Sequence, residues 1–183
     1  MSKTGWALNK LLHSEDPVAD PFVLLRQGGY NLYFRHARPE NTVDNDVMLS
    51  ALGREQAWRL GELLTARKIP IQLPVSASPI NRARQTAEIA FSQQNVQIEP
   101  RLVQRELDQL LEIAPETGLN QIFVAHHHHF NKQLKPYDHF DYINMALLKP
   151  LGVGKGYNVV QVLNLLQEEL VNHDITVSEL ATK

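Results

Sequence analysis

The sequence predicts an α/β sandwich in which helices cover both faces of a mostly parallel sheet. Short apolar runs bounded by turn residues alternate along the chain with segments of helical periodicity, which is the pattern expected for such a sheet. With 183 residues, the chain can bury one substantial core but is too short for two ordinary domains. We therefore assign residues 1–20 to an N-terminal arm or short helix and residues 21–183 to a single domain.

The first half of the chain predicts two strands, each followed by a helix. A Gly28-Gly29 turn precedes the first strand, and a serine precedes each helix and is expected to cap it. A short helix candidate lies before the turn. In chain order the elements are Asp20–Gln27, the strand through Leu32–Phe34, the helix from Ala51 capped by Ser50, the strand Ile69–Ala77, and the helix capped by Ser78 with Pro79 next.

The second half of the chain predicts three more strands and two more helices. Val96–Ile98 is a short strand candidate, and Gln121–Ala125 is a stronger one because it contains β-branched and aromatic residues. Tyr157–Leu163 is expected at an edge of the sheet. Leucines at helical spacing indicate a helix over Leu102–Leu111, and a similar pattern covers Leu165–Asn172.

Arg35 and His36 stand at the carboxyl end of the first predicted strand, shortly before Pro39 stops further pairing. Ligands of open α/β sheets bind at this edge. A neutral histidine can attack phosphorus, and an arginine offers a planar fork of donors that suits phosphate oxygens. Taken alone, an Arg-His dipeptide favours a surface loop, because dipeptides recur by chance, so the prediction of a phosphate site depends on other residues.

Two further residues lie where a predicted helix begins or a predicted strand ends. Arg82 lies in the first turn of its predicted helix, beside unpaired backbone N–H groups and the positive end of the helix dipole, where anions bind. His126 directly follows the predicted strand Gln121–Ala125. The chain thus offers two histidines at strand ends and two arginines as one candidate constellation.

Composition excludes several classes of function. The formal net charge of −2 provides no global basic field for nucleic acid or anionic membranes. The absence of cysteine excludes disulfides, thiolate metal sites and a cysteine nucleophile. The N-terminus has no signal-peptide core, and no stretch approaches membrane-spanning length. We expect a cytoplasmic protein that binds a phosphorylated substrate, with neither nucleic acid nor membrane as partner and an undetermined oligomeric state.

Four blocks of sequence between Gly28 and Phe130 carry a resemblance to a known family. In order they are LYFRHA, LSALGREQAWRLGELL, VSASPINRARQTAEIAF and IFVAHHHHF. They resemble the Arg-His-Gly strand end, the Gly-x-x-Gln-Ala helix, the Arg-Ala-x-Gln-Thr-Ala block and the second-histidine strand of the histidine phosphatase superfamily, the phosphoglycerate mutase-like proteins. Ala37 stands where the family usually has glycine, a change we expect to be tolerated.

The resemblance implies that His36 is phosphorylated during turnover, while Arg35, Arg82 and His126 bind the transferring phosphoryl group. The physical chemistry agrees, because phosphoryl transfer spreads charge over the equatorial oxygens and fixed cationic and N–H donors supply most of the catalysis. We expect no metal and no other cofactor, since the arginines supply the positive charge.

The acid that protonates the leaving group is open. The phosphoglycerate mutase branch places a glutamate in the segment that here is RLVQRELDQ, at the position of Gln104, which cannot donate as an acid. Glu106 is our first candidate because it lies two residues later. The alternatives are Asp108, Asp138 and Asp141.

The run of four histidines, His126–His129, also permits a metal site. The first and last could share a helical face, with Asp138, His139 or Asp141 completing the ligands. However, no His-Glu-x-x-His spacing is present, and a metal site would leave the arginine blocks without a role. We favour phosphoryl transfer and leave open the roles of His127, His128 and His129.

The sequence therefore predicts a phosphomonoester hydrolase that acts through a phosphohistidine on a small phosphorylated metabolite or a phosphoprotein. About 30 residues separate the Gln-Thr-Ala helix from the second-histidine strand, which leaves little room for a lid and disfavours a phosphoglycerate mutase. The alternative, favoured by Gln104, is a non-catalytic phosphate- or protein-binding module on the same fold.

Overall fold

The computed structural model describes residues 20–103, 107–127 and 140–167. A six-stranded sheet with the order β3-β2-β4-β1-β5-β6 forms its centre. The strands are β1 (Asn31–Arg35), β2 (Ile71–Ala77), β3 (Val96–Ile98), β4 (Asn120–Ala125), β5 (Met145–Pro150) and β6 (Tyr157–Leu163). The helices are α1 (Pro21–Gln27), α2 (Ala51–Ala66), α3 (Asn81–Phe91) and α4 (Leu107–Leu111), and short 3-10 helices cover Gln93–Asn95 and Pro100–Val103.

Four neighbouring strands run in the same direction. β3, β2, β4 and β1 are parallel, whereas β5 pairs antiparallel with β1 and β6 pairs antiparallel with β5. The carboxyl ends of β1, β2 and β4 consequently lie at one edge of the sheet. The predicted mostly parallel sheet is confirmed.

The two faces of the sheet are covered by separate cores, as the alternation of side chains along a strand requires. Leu32 and Phe34 of β1 pack in the larger core with residues of α1, α2 and α3. Tyr33 between them packs in the second core with Leu107, Leu110 and neighbouring residues of α4. This arrangement confirms the predicted class of fold, with helices on both faces.

The structure corrects one predicted cap, modifies one predicted helix and adds one strand, β5, that the sequence did not predict. Ser78 does not cap a helix, because its backbone N–H still pairs with Val124 and α3 begins only at Asn81, after an Ile80 cap without a side-chain bond. In place of one helix over Leu102–Leu111, the chain forms the 3-10 helix Pro100–Val103 and α4, on either side of residues that lie outside the described ranges.

Some predictions concern residues that lie wholly or partly outside the described ranges. The N-terminal arm is one of these, apart from Asp20, which caps α1 by accepting a hydrogen bond from Phe22 N at 2.9 Å. The helical pattern over Leu165–Asn172 is another, since helical conformation is described only for residues 165–167. Among the described helices, none has the length and apolarity needed to cross a membrane.

Helices α2 and α3 approach each other closely at Gly61. A Cβ atom at this position would lie 2.1 Å from the carbonyl oxygen of Ala90 on α3. Real Cβ atoms do not come this close to a backbone oxygen, so any larger residue must push the two helices apart. The distance between these helices therefore depends on the glycine.

We expect Gly61→Ala to lower the free energy of unfolding by about 1–2 kcal/mol. Overpacking costs about 1–3 kcal/mol, and the better helix propensity of alanine returns up to about 1 kcal/mol of it. Chemical denaturation measures the difference, with Glu62→Ala as the control because the neighbouring Glu62 is exposed. A Gly61→Ala variant at least as stable as the wild type would show that the helices separate without cost.

Candidate active site

The two histidines at strand ends are brought together because β1 and β4 are adjacent. The strands pair in register from Asn31 with Gln121 to Arg35 with Ala125, so His36 and His126 both follow directly at the same edge. Their ring centroids are 5.3 Å apart with an interplanar angle of 62°. Both side chains are almost completely buried, at 3% and 1% exposure. The residues predicted to act together thus share one enclosed place.

Two hydrogen bonds fix the orientation of the His36 ring. Its Nδ1 lies 2.8 Å from the carbonyl oxygen of Ala37, which can only accept, so Nδ1 carries the proton and donates it. Its Nε2 accepts a hydrogen bond from Arg82 Nε at 3.0 Å. The ring therefore presents the Nε2 lone pair to the guanidinium of Arg82.

His36 is neutral at any pH near 7. The pKa of its imidazole is lowered from 6.5 to about 3. Burial is the main cause, the hydrogen bond to the Ala37 carbonyl opposes the shift, and the positive charges of Arg82 and Arg35 add to it. A neutral imidazole with Nδ1 protonated keeps its lone pair on Nε2, which is the state that a nitrogen nucleophile needs.

His126 is held by side chains from the two neighbouring parallel strands. Its Nε2 lies 2.9 Å from the hydroxyl of Ser78, which follows β2 and also accepts a hydrogen bond from Ile80 N at 3.3 Å. The hydroxyl of Tyr33 donates to the His126 carbonyl at 2.8 Å and accepts from its N–H at 3.2 Å. The backbone and the ring of His126 are therefore both fixed.

Arg35 is enclosed by the chain that leads into β5. One terminal nitrogen donates to the Phe140 carbonyl at 2.7 Å, and the guanidinium carbon lies 4.0 Å from the ring centroid of Tyr142. Its Nε is buried and has no hydrogen-bond partner among the described residues. Burial lowers the pKa of this arginine, but an arginine stays charged in proteins. Its positive charge acts on His36, and its Nε is a donor left unused by the described residues.

Arg82 joins α3 to the loop that precedes α2. Besides its bond to His36, the guanidinium donates to the carbonyl of Asn45 at 2.5 Å. The carboxylate of Asp46 accepts a hydrogen bond of 2.7 Å from Asn81 N, the first residue of α3. Burial lowers the pKa of Arg82, while the charge of Asp46 opposes this shift. The loop thus contacts both the arginine and the helix end predicted to bind phosphate.

The sequence blocks around α2 and α3 hold the chain that follows His36. Thr86 Oγ1 accepts from Ala37 N at 2.9 Å, and Gln56 Oε1 accepts from Arg38 N at 3.1 Å. Ser50 caps α2 by accepting from Gly53 N and donates to the Arg38 carbonyl, both at 3.0 Å. A Cβ atom at Gly53 would lie only 2.0 Å from that same carbonyl oxygen. These motif residues act on the site through the backbone.

The candidates for the leaving-group acid differ in their position relative to the two histidines. Gln104, Glu106 and Asp138 lie outside the described residues. Asp108 accepts a hydrogen bond from the Tyr157 hydroxyl at 2.9 Å, and Tyr157 pairs with Pro150 beyond the amino end of β1, away from the histidines. The charge of Asp141, by contrast, raises the pKa of Arg35 and therefore acts on the site.

A metal site is not assembled by the part of the chain that the structure describes. Within residues 20–103, 107–127 and 140–167 there is no group of three or more possible ligands close enough to hold a metal ion. His128, His129, Asp138 and His139, on which the metal hypothesis depended, lie outside these ranges.

Sequence reasoning missed three residues that contact the predicted site. They are Tyr33, Ser78 in its contact with His126, and Tyr142, whose ring centroid lies 5.6 Å from that of His36. Tyr33 and Ser78 were assigned to a core strand and a helix cap, and Tyr142 lies in a segment without a motif. For Tyr33 and Ser78, a position near a strand end was the one feature of the sequence that could have predicted contact with the site.

Comparison with known proteins identifies the family. Residues 32–138 match the family model of the histidine phosphatase superfamily (branch 1). Because the match spans more than half of the chain, the chain belongs to the histidine phosphatase superfamily. None of the curated proteins matches the sequence.

Solved structures share the fold at low sequence identity. The protein histidine phosphatase SixA complexed with tungstate is 15% identical with a TM-score of 0.57, over 74% of this chain and 96% of its own. A mycobacterial glucosyl-3-phosphoglycerate phosphatase complexed with VO3 is 19% identical with a TM-score of 0.51, over 75% and 99%. A mutant phosphoserine phosphatase from Entamoeba histolytica in complex with phosphoserine is 12% identical with a TM-score of 0.50, over 76% and 98%.

We expect the His36 ring to stay neutral across the range in which an ordinary histidine titrates. Its ring resonances in NMR spectra should not shift between about pH 5 and 8, whereas an exposed histidine should titrate near 6.5. A His36→Gln variant assigns the signals among the eight histidines. A midpoint near 6.5 for His36 would contradict the role of burial.

The same depressed pKa has a consequence for stability. Below pH 6.5 the unfolded chain takes up a proton at this position that the folded chain does not bind. The neutral His36 ring therefore makes its full contribution to the free energy of unfolding above pH 6.5. This contribution is lost as the pH falls towards 3.

Proposed function

We propose that the protein hydrolyses phosphomonoesters through a phosphohistidine formed at Nε2 of His36. The observation that carries this proposal is the neutral imidazole, whose Nδ1 proton is held by the Ala37 carbonyl while its Nε2 faces Arg82 at 3.0 Å. A histidine kept only for structure would not need a lone pair directed at a cation. Membership of the histidine phosphatase superfamily supports the same reaction class.

The anion site is supplied by the cations of Arg35 and Arg82, and among the described residues neither guanidinium has a carboxylate within salt-bridge distance. Arg35 and Arg82 both act electrostatically on His36. The buried Nε of Arg35 has no partner among the described residues, and an unsatisfied buried donor costs about 1–3 kcal/mol, more when it is charged. A phosphate dianion would satisfy this donor and both charges, which supports phosphate as the ligand.

In the first step, the Nε2 lone pair attacks phosphorus in line with the ester bond. The P–N bond forms as the P–O bond breaks, and the leaving oxygen takes a proton from an acid or from water. Arg82 must release Nε2 for this step, and a phosphate oxygen is the better acceptor because a charge-assisted bond is stronger than one to a neutral imidazole. Substrate binding thereby exposes the nucleophile.

In the second step, water attacks phosphorus and the P–N bond breaks. The electron pair of this bond returns to Nε2, and inorganic phosphate leaves. The proton from water passes to the group that acted as the acid in the first step, or to solvent. Arg35, Arg82 and His126 are proposed to hold the equatorial oxygens in both steps, where charge accumulates. His126 suits this role because Ser78 and Tyr33 already fix it.

Gln104 favours a second candidate, a phosphate- or protein-binding module that keeps the anion site without turnover. The two functions differ in what happens to an aryl phosphate, whose leaving group needs little help from an acid. Hydrolysis with a phosphorylated enzyme intermediate supports the enzyme. Binding of the aryl phosphate with no product supports the module.

We expect His36→Ala to reduce hydrolysis of p-nitrophenyl phosphate to the background rate, because no other group at the site is proposed to form the intermediate. The wild type, quenched during turnover with a labelled substrate, should carry acid-labile phosphate that is absent from the variant. Circular dichroism and thermal unfolding establish that the variant is folded. Activity within tenfold of the wild type would exclude the mechanism.

Metal independence is a control for the same assay. The wild type should keep its activity after exhaustive EDTA treatment, since the arginines provide the positive charge. If activity is lost on chelation and recovered with zinc, the active site is a metal site formed by the histidine run.

We expect the leaving-group acid to be revealed by comparing two substrates. Removing an acid should slow an alkyl phosphate by about 10²–10⁴-fold and an aryl phosphate much less. Glu106→Gln tests the first candidate from the sequence, and Asp141→Asn tests the one whose charge acts on Arg35. Asp108→Asn is the comparison, since Asp108 is engaged by Tyr157.

Equal losses on both substrates would assign the tested carboxylate to positioning rather than proton transfer. If neither Glu106→Gln nor Asp141→Asn discriminates between the substrates, Asp138 remains to be tested. If no variant discriminates, the protein acts on substrates whose leaving group needs no acid.

A further inference from the structure

The short turn before β5 is attached to Arg35 by both backbone and side chain. Arg35 N donates to the Asn144 carbonyl at 3.0 Å, and Ile143 N donates to the Arg35 carbonyl at 3.2 Å. The Arg35 guanidinium donates to the Phe140 carbonyl at 2.7 Å. The turn therefore wraps around the end of β1, and no part of it belongs to the sequence blocks that define the family resemblance.

The turn places Ile143 in a conformation that a β-branched residue rarely adopts. Its φ angle is +64°, in the left-handed region, where a β-branched side chain is strained. The surroundings hold it there, since Ile143 is completely buried in the larger core and bonded to Arg35. Burial of Ile143 determines where the preceding side chain, Tyr142, is placed.

Tyr142 contacts both residues of the Arg-His pair. The carbon of the Arg35 guanidinium lies 4.0 Å from the Tyr142 ring centroid, and the ring centroid of His36 lies 5.6 Å away. Successive side chains of a strand point to opposite faces. A ring that lies at the end of the strand can contact the side chains of both Arg35 and His36. Tyr142, which is only partly buried, lies at this strand end.

The guanidinium of Arg35 has two distinct edges. The terminal nitrogen bonded to the Phe140 carbonyl lies on one side, and the buried Nε lies on the other, without a partner among the described residues. Stacking against Tyr142 holds the plane of the group. With one edge and the plane both held, the Nε edge has a single direction, and a planar fork of this kind binds two phosphate oxygens.

We infer that Tyr142 is a positioning residue that orients the Nε edge of Arg35 towards the phosphate. The inference rests on the proposed phosphatase function and adds to it a residue that no motif contains. Tyr142 acts on Arg35 through its ring, which stacks on the cation, and through its hydroxyl, which is hydrogen-bonded to the same guanidinium. We expect the stacked ring to make the larger contribution. Its effect reaches the substrate through Arg35, and removing the ring should weaken phosphate binding more than it lowers kcat.

Three variants test the inference. Tyr142→Leu removes the ring, Tyr142→Phe keeps the ring and removes the hydroxyl, and Tyr30→Leu is the matched control. Tyr30 is also partly buried and lies under a cation, with Lys149 Nζ 4.7 Å from its ring centroid, but at the amino end of β1. The measurements are kcat and KM for p-nitrophenyl phosphate and the Kd of inorganic phosphate by calorimetry.

We expect Tyr142→Leu to raise KM and the phosphate Kd by about tenfold, with a smaller change in kcat. Tyr142→Phe and Tyr30→Leu should stay within about twofold of the wild type. Unchanged phosphate affinity in Tyr142→Leu would overturn the inference. A loss in Tyr142→Phe equal to that in Tyr142→Leu would also overturn it, because the hydroxyl would then be the active group.

A double-mutant cycle separates action through Arg35 from a direct contact with the substrate. In an Arg35→Lys background the flat fork is absent, so adding Tyr142→Leu should change the phosphate Kd by less than twofold. A full tenfold loss in that background would show that Tyr142 acts without Arg35. Thermal unfolding of every variant shows whether a change in binding has its origin in folding.

The outcomes also distinguish the inference from the function on which it rests. A wild type that neither binds phosphate nor hydrolyses the aryl phosphate contradicts the proposed function. A wild type that turns over through His36, with Tyr142→Leu unchanged, contradicts the inference alone.

Discussion

The site depends on the backbone of Ala37 and Arg38, the two residues that follow His36. Ala37 N donates to Thr86 of α3, and Arg38 N donates to Gln56 of α2. The Ala37 carbonyl accepts from the His36 ring, while the Arg38 carbonyl accepts from both the N–H and the hydroxyl of Ser50. The N–H and C=O groups of Ala37 and Arg38 are therefore all satisfied, as backbone beside a buried site requires.

This arrangement couples the helices to the chemistry. A carbonyl that cannot rotate keeps the proton on His36 Nδ1, and the fixed tautomer leaves the lone pair on Nε2. Because Thr86 also donates to the carbonyl of Arg82 at 2.7 Å, one hydroxyl links the backbone beside the proposed nucleophile to that of the arginine facing it. The family blocks around α2 and α3 can thus be understood as supports for two peptide groups.

The electrostatics of the site favour a bound anion, since no carboxylate among the described residues lies within salt-bridge distance of Arg35 or Arg82. Burial lowers the pKa of His36, Arg35 and Arg82 alike, because each loses solvent that would stabilise its charged form. The histidine responds by staying neutral, and the arginines stay charged at an energetic cost. Asp46 and Asp141 offset part of this cost from the periphery. A bound phosphate would offset more, which connects the cost of the two buried charges with the proposed ligand.

The sequence by itself predicted five of the six described strands, the main helices and the residues of the proposed phosphate site, because these follow from local periodicity and from motifs with fixed spacing, but it did not predict β5. Only the tertiary structure decided that β4 lies between β1 and β2, which places His126 beside both His36 and Ser78. It also moved Ser78 from a helix cap to a strand end and brought Tyr142 onto Arg35 from a turn without a motif. These contacts join residues 48 to 107 positions apart, and pairing over such distances is set by packing and sheet order, which local sequence patterns do not encode.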